Sequence, residues 1–67
     1  MITIYVNDSP LEIRKNTNVL ELLKELKFPI QGVAVAIDNT VIPTATWETH
    51  LLDTNNKVLI IQAAQGG

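Results

Sequence analysis

Gly66 and Gly67, at the C-terminal end, are the residues whose type and position best suit chemistry in this sequence. With Ala64 and Gln65 they form a tail that reaches at most roughly 14 Å, and glycines lack the Cβ atoms that would obstruct a narrow channel. The carboxylate of Gly67 is ionised at neutral pH and becomes an acyl donor only after activation, for example as an acyl-adenylate. Taken alone, the tail fits an ordinary frayed terminus better than a functional arm.

Other polar residues offer no comparable centre. His50 is the only histidine, and no acidic residues stand at ligand spacing around it, so we expect a loop or helix-end histidine and no metal site. Ser9, the only serine, follows Asp8 in a turn-forming segment, which indicates a turn role and no hydrolase triad. Gly32 is the only glycine outside the tail, so the sequence has no glycine-rich phosphate loop.

Carboxylates and thiols do not provide a catalytic centre either. Glu21 and Glu25 share a predicted helix face, where such pairs are ordinary solvated residues. The absence of cysteine removes disulfides, thiolate metal ligands and cysteine nucleophiles. We therefore expect a protein that other enzymes act upon, with no catalytic residue and no bound cofactor of its own.

Size and charge exclude several of the remaining functional classes. A chain of 67 residues fits one domain and is too short for a deep catalytic cleft. Its five basic residues are scattered among seven acidic ones, which leaves no footprint for nucleic acid. The N-terminus lacks a basic region followed by an apolar stretch, and no apolar run approaches the length of a membrane span. We expect a cytoplasmic protein without membrane or nucleic-acid partners.

The first half of the sequence predicts a hairpin and a helix. Ile2, Ile4 and Val6 alternate with polar or aromatic residues, and the turn formers at 7–10 separate this strand from a second one at 11–14. Asn18 and Glu21 have the spacing of a capping box, so a helix should begin there. Apolar residues at spacings of three and four define its buried face: Val19, Leu22, Leu23 and Leu26. Because Phe28 precedes a proline, the helix should end near Lys27.

The second half predicts further strands around a short covering segment. A strand at 33–37 is followed by the two-residue turn Asp38-Asn39 and a returning strand at 40–42 that Pro43 ends. Trp47 and Leu51 stand four residues apart, which indicates a helical turn within 44–52 laid over the core. After Asn55-Asn56, the apolar run 57–63 forms the last strand.

This order predicts an α+β protein of the β-grasp class, with one mixed sheet of about five strands packed on a single main helix. The domain should cover residues 1–63 and the tail residues 64–67. The first and last strands should lie side by side at the centre of the sheet. The consecutive apolar residues 58–61 indicate that the last strand is buried on both sides.

Strand alternation also predicts an apolar outer surface. If Ile4, Val35 and Ile60 face the helix, the alternate residues face away from it. These residues are Tyr5, Ala34, Ala36, Leu59, Ile61 and Ala63. An apolar patch of this kind marks a partner interface. The alternative is that these residues are ordinary strand formers or lie beneath the segment 44–52.

Together these pieces resemble the ThiS family, the sulfur carrier proteins of thiamin biosynthesis, along essentially the whole chain. The matching segments are Val6-Asn7-Asp8, the helix residues 19–23, Val35 to Asp38 with Val41-Ile42-Pro43 and Trp47, and Leu59 to Gln62 leading into Gly66-Gly67. Two positions depart from the family pattern: Thr44 stands where many members have arginine, and Asn55-Asn56 stand where a Gly-Asp turn is common.

The resemblance implies a ubiquitin-like β-grasp fold and a cycle of activation by partner enzymes. A ThiF-type adenylating enzyme would use ATP and Mg²⁺ to adenylate the carboxylate of Gly67. Sulfur from a cysteine desulfurase pathway would then displace AMP and leave a thiocarboxylate, which would donate its sulfur to a ThiG-type thiazole synthase. The apolar outer surface would be the docking surface for the activating enzyme.

Three alternatives remain open from the sequence. The nearest is the small subunit of molybdopterin synthase, or another β-grasp sulfur carrier, although the short length and the Trp47 region favour the thiamin branch. A ubiquitin-like modifier would instead form isopeptide bonds with lysines of target proteins. An interaction domain with an inert tail is the third. The group found on the tail distinguishes them, since a carrier shows thiocarboxylate and a modifier shows conjugates.

Overall fold

The computed structural model describes residues 1–62. Its elements, in chain order, are β1 (Ile2–Val6), β2 (Ser9–Ile13), α1 (Val19–Glu25), β3 (Val33–Ile37), β4 (Thr40–Val41), a 3-10 turn (Thr44–Thr46) and β5 (Lys57–Gln62). The strands form one mixed sheet in the order β2-β1-β5-β3-β4. β1 and β5 are parallel neighbours at its centre, and the other pairs are antiparallel. The predicted β-grasp arrangement is confirmed.

The first hairpin has a tighter turn than predicted. Asn7 and Asp8 have φ values of 49° and 69°, and Val6 pairs directly with Ser9. Asn and Asp tolerate the left-handed conformation that two-residue hairpin turns require. The prediction that Ser9 and Pro10 belong to the turn is wrong, because both lie in β2. β2 is an edge strand, where proline removes no ladder hydrogen bond.

Helix α1 begins with the predicted capping box. The Glu21 N–H donates to Asn18 Oδ1 at 2.7 Å, and the Asn18 N–H donates to Glu21 Oε1 at 3.1 Å. The backbone N–H groups of Val19 and Leu20, which have no acceptor within the helix, donate to backbone carbonyls of the segment 47–50. The donors left open at the start of a helix are thus satisfied by the cap and by a segment distant in sequence.

The same helix ends with a residue in the left-handed conformation. Leu26 is the cap residue, and Lys27 has a φ of 62°. The Phe28 N–H donates to the Leu23 carbonyl at 2.9 Å, and the Lys27 N–H donates to the Lys24 carbonyl at 3.1 Å. This pair of bonds is the Schellman motif, which usually has glycine where Lys27 stands. The helix therefore ends two residues before Lys27, close to the predicted boundary.

The core lies between α1 and one face of the sheet. The buried residues come from the helix, the sheet and the segment after β4, and they are Ile4, Ile13, Val19, Leu22, Leu23, Val35, Ile37, Ile42, Trp47, Leu52, Val58 and Ile60. The Trp47 side chain is 2% exposed, and its Nε1–H donates to the Ile42 carbonyl at 3.0 Å. This bond satisfies the indole donor inside the core.

The covering segment differs from the predicted helical turn. It is helical only over Thr44–Thr46, and Leu51 is 52% exposed whereas Leu52 is 4% exposed. Leu51 forms a bridge with Asn18, and the Leu52 N–H donates to the Thr17 carbonyl. These contacts hold the chain extended, so adjacent side chains point to opposite sides and Leu52 takes the core position predicted for Leu51.

The second hairpin follows its prediction closely. Asp38 and Asn39 have φ values of 50° and 70° and form the two-residue turn. β4 ends at Val41, one residue earlier than predicted, although the Ile42 N–H still donates to the Val35 carbonyl at 2.8 Å. β5 is described to Gln62. The predicted boundary between domain and tail lies outside the described residues and stays a prediction.

Candidate functional site

The predicted site has two parts, of which the structure describes one. The modification residue Gly67, the tail residues Gly66, Gln65 and Ala64, and the surface residue Ala63 lie outside the described residues. The structure does describe β5, the strand that leads to them, and the face of the sheet turned away from α1. We call this surface the open face.

Large apolar side chains are exposed on the open face. Tyr5 is 39% exposed, Leu59 48% and Ile61 54%, while Ala34 is exposed and Ala36 half-buried. The residues between them along β5 are buried, with Val58 at 2% and Ile60 at 6% exposed. The prediction that β5 is buried on both sides is therefore wrong for the described chain, because α1 covers one face of the sheet and none of residues 1–62 covers the other.

Val41 also lies on the open face and was missing from the predicted surface. It pairs with Ala36 across β3 and β4 and is 72% exposed. The signal was available in the sequence, because the returning strand places Ile42 in the core and so turns the preceding residue outward.

Cross-strand pairing determines which parts of the open face are raised and which are recessed. Ala36 pairs with Leu59, and Ala34 pairs with Ile61, so small residues on β3 stand beside large ones on β5. A shallow depression lies next to this row, lined by Tyr5, Ala36, Lys57 and Leu59 together with turn residues. The surface is thus apolar in its middle, with the cation of Lys57 at its edge.

The start of β5 is held by the side chain of Asp38. Its Oδ1 accepts from the Lys57 N–H at 3.0 Å, and its Oδ2 accepts from Asn56 Nδ2 at 3.0 Å. Asn56 Oδ1 in turn accepts from the Asp53 N–H at 2.6 Å. Asp38 and Asn56 therefore do more than form the predicted turns, since they bind the two turns to each other.

The middle of β5 is held by Asn7. Its backbone N–H donates to the Val58 carbonyl at 2.9 Å, and its Oδ1 accepts from the Ile60 N–H at 2.9 Å. Its Nδ2 also lies 3.5 Å from the Ile60 carbonyl oxygen, a long donor contact. Sequence reasoning identified Asn7 only as a turn residue, because no local pattern shows a contact between residues so far apart along the chain.

The residues weighed as alternative centres have structural roles. The His50 carbonyl accepts from the Val19 N–H at the start of α1, and Glu21 belongs to the capping box. Ser9 lies in β2, and Gly32, with a φ of 77°, forms the bend before β3. Residues 1–62 contain no group of three or more His, Cys, Asp or Glu arranged to hold a metal ion. They also contain no helix long and apolar enough to cross a membrane.

Comparisons with known proteins agree with this architecture. The model of the ThiS family matches residues 3–67. The chain is also 30% identical over 64 residues to the sulfur carrier protein ThiS of Escherichia coli K12, covering 96% of this chain and 97% of that protein. The chain belongs to the ThiS family. The resemblance identified from the sequence is confirmed, and the family match includes Gly66 and Gly67.

Solved structures show the same fold for this ThiS-family chain. The crystal structure of the thiamine biosynthesis protein ThiS from Geobacter metallireducens aligns with a TM-score of 0.84 at 23% identity, covering 98% of this chain and 100% of that one. A solution NMR structure of a thiamine biosynthesis protein from the same organism aligns with a TM-score of 0.81 at 23% identity, covering 98% and 88%. At this identity the likeness supports the fold assignment alone.

Proposed function

We propose that this protein is a sulfur carrier of thiamin biosynthesis and that the carboxylate of Gly67 is its functional group. The observation that carries the proposal is the family match, which runs from Thr3 to Gly67. The curated relative from Escherichia coli is named a sulfur carrier protein. In this role the chain is a substrate of partner enzymes and contributes no catalytic residue.

The chemistry takes place in successive steps on the carboxylate group of Gly67. A carboxylate oxygen of Gly67 attacks the α-phosphorus of ATP in an adenylating enzyme of the ThiF type, which releases pyrophosphate and forms an acyl-adenylate. The terminal sulfur of a persulfide from a cysteine desulfurase pathway then attacks the carbonyl carbon, and AMP leaves. A thiol next cleaves the S–S bond of the resulting acyl persulfide, which forms a disulfide and releases the thiocarboxylate. Activation in trans suits a chain whose carboxylate is a weak electrophile. Mg²⁺ and ATP belong to the activating enzyme, which supplies the charge stabilisation.

The thiocarboxylate formed in this way is the cargo. In our proposal it transfers sulfur to a thiazole synthase of the ThiG type, and the whole cycle takes place in the cytoplasm. The two glycines serve access, because a residue without Cβ can pass through the narrow entrance of a partner's active site.

The open face is the proposed docking surface for the activating enzyme. Leu59 and Ile61 lie on the strand that leads directly into the tail, so an enzyme that holds this face also controls where the tail begins. Tyr5, Val41 and the small residues Ala34 and Ala36 complete an apolar surface of the kind that marks protein interfaces. Ala63 belongs to the same proposal from strand alternation alone.

Intact-mass measurement after reconstitution tests the proposed function. The protein is incubated with a ThiF-type enzyme, ATP, Mg²⁺ and a sulfur source, and we expect the mass gain of one oxygen exchanged for sulfur. Oxidation of Met1 adds one oxygen and produces almost the same gain, so the product is also treated with a thiol-directed alkylating reagent. Because the chain has no cysteine, alkylation reports on the thiocarboxylate.

A variant that lacks Gly67 is the matched control, and it should gain neither sulfur nor the alkyl group. An unmodified wild-type protein in the complete reaction would refute the carrier proposal. Conjugation to lysines of other proteins without thiocarboxylate would favour a ubiquitin-like modifier instead.

A further inference from the structure

The side chain of Asn7 occupies a place in the sheet that a strand residue would normally fill. β1 pairs with β5 through Tyr5 and Val6, opposite Lys57 and Val58, and ends there. The next backbone groups of β5 that face β1 belong to Ile60. Their partner is the Asn7 amide, with the Ile60 N–H donating to Oδ1 at 2.9 Å. The amide thus extends the parallel ladder beyond the last residue of the strand.

This contact matters because the two flanks of β5 are held unequally. On the β3 side, backbone pairing continues to Gln62, which lies opposite Val33. On the β1 side, backbone pairing stops at Val58, and the Asn7 amide is the described contact nearest to the tail. Without it, β5 would be held along one flank over its last residues.

Comparison with the second hairpin shows that the turn alone does not require this arrangement. Asn39 has a φ of 70° in the other two-residue turn, and its side chain makes no hydrogen bond among residues 1–62. Left-handed geometry therefore explains why an asparagine is tolerated at position 7. It does not explain why the amide points at the Ile60 backbone.

We propose that Asn7 is a positioning residue for the reaction at Gly67, because its amide fixes the direction in which β5 leaves the sheet. The inference rests on the proposed function. A held strand presents the tail at a defined place relative to Leu59 and Ile61 on the open face. A partner that docks on this face then meets a strand that is already held by both flanks, and binding loses less conformational freedom.

Replacing Asn7 by glycine separates the effect of the side-chain amide from the effect of the turn conformation. Asn7→Gly keeps the positive φ and removes the amide, whereas Asn7→Asp keeps the turn and an oxygen acceptor for the Ile60 N–H. Asn39→Gly makes the same substitution in the turn without the contact. All three are compared with wild type by amide hydrogen exchange of Ile60 and by steady-state adenylation with a ThiF-type enzyme.

We expect faster exchange of the Ile60 amide in Asn7→Gly, because its acceptor is lost. We also expect a KM for the carrier that rises about three- to tenfold, with kcat nearly unchanged because the enzyme holds the tail once it is bound. Asn7→Asp and Asn39→Gly should both stay near the wild-type KM. The conformational effect of a glycine in the turn would not produce this pattern, since it would affect Asn39→Gly as well.

Several results would overturn the inference. One is an unchanged KM in Asn7→Gly while the wild type is adenylated normally, and another is an equal rise in Asn39→Gly. If Asn7→Gly does not fold, rapid exchange of the Ile60 amide in the wild type, or a raised KM in Asn7→Asp, would be equally decisive. Failure of the wild type to be adenylated would instead refute the proposed function, and the positioning role with it.

Discussion

The two faces of β5 differ although their residues are equally apolar. Val58 and Ile60 are buried in the core that also contains the inner residues of α1, whereas Leu59 and Ile61 are about half exposed on the open face. Burial of a large aliphatic side chain stabilises a fold by about 1.5–3 kcal/mol. The inner residues therefore contribute to folding, while the outer ones keep much of their apolar area available for association with another protein.

The difference teaches that hydrophobicity alone does not show what a residue is for. A four-residue apolar run is typical of a strand buried on both sides, and here only one side is buried within the described chain. Three predictions test the contrast between the faces, beginning with the largest expected effect.

Truncation on the inner face should be far more harmful than truncation on the open face. We expect Ile60→Ala to lower the free energy of unfolding by about 2–5 kcal/mol, because it removes buried methyl groups and leaves a cavity. Leu59→Ala should lower it by less than about 1 kcal/mol. Urea denaturation measures both. If Ile60→Ala is unfolded, Ile60→Val, with an expected loss of about 1 kcal/mol, is compared with Ile61→Val on the open face, with an expected loss of less than about 0.5 kcal/mol. Equal losses at the two positions would contradict the contrast.

A charge on the open face should act on binding. We expect Leu59→Glu to weaken the affinity for the proposed activating enzyme tenfold or more, about 1.4 kcal/mol, because a carboxylate would be buried in an apolar interface. Titration calorimetry or a binding assay measures the change.

Leu51→Glu is the matched control for this binding experiment. Leu51 is 52% exposed, close to the 48% of Leu59, but it lies beside the start of α1 rather than on the open face. The control should bind like wild type. An equal loss in both variants, or no loss in Leu59→Glu, would exclude the open face as the docking surface.

The cap of α1 should contribute to the stability of the covered face. We expect Asn18→Ala to lower the free energy of unfolding by about 1 kcal/mol, because the Glu21 N–H loses its acceptor at 2.7 Å. Lys24→Ala, at an exposed position of the same helix, should change it by less than about 0.5 kcal/mol. Thermal or urea unfolding measures both, and a cap variant as stable as wild type would show that the carbonyls of segment 47–50 suffice.

Much of the fold could be predicted from local patterns. The capping box at Asn18, the alternation in β3 and the turn at Asp38-Asn39 each involve neighbours in sequence, so their residue types carry the information. In the covering segment 44–52 the prediction was wrong because a distant contact decided the outcome. Leu52 replaced Leu51 in the core because the segment pairs with residues 17–18, which no local periodicity shows.

The features of the candidate site also divide into those that local patterns predict and those that distant contacts decide. Strand alternation placed Tyr5, Leu59 and Ile61 outward, and the structure agrees with that orientation. Val41 was missed although alternation could have found it. The bonds of Asn7 to Ile60 and of Asp38 to Lys57 could not be predicted, because each joins a turn to a strand that lies next to it only in the folded sheet.

The sequence by itself determined the elements, the polarity of their faces and the family, because periodicity, turn chemistry and ordered motifs are properties of neighbouring residues. It also supplied the glycine tail on which the proposed chemistry depends. Only the tertiary structure decided that no part of the described chain covers the outer apolar side of β5 and which side chains hold that strand in place. Both depend on the sheet order β2-β1-β5-β3-β4, which brings Asn7 and Asp38 to opposite flanks of the last strand.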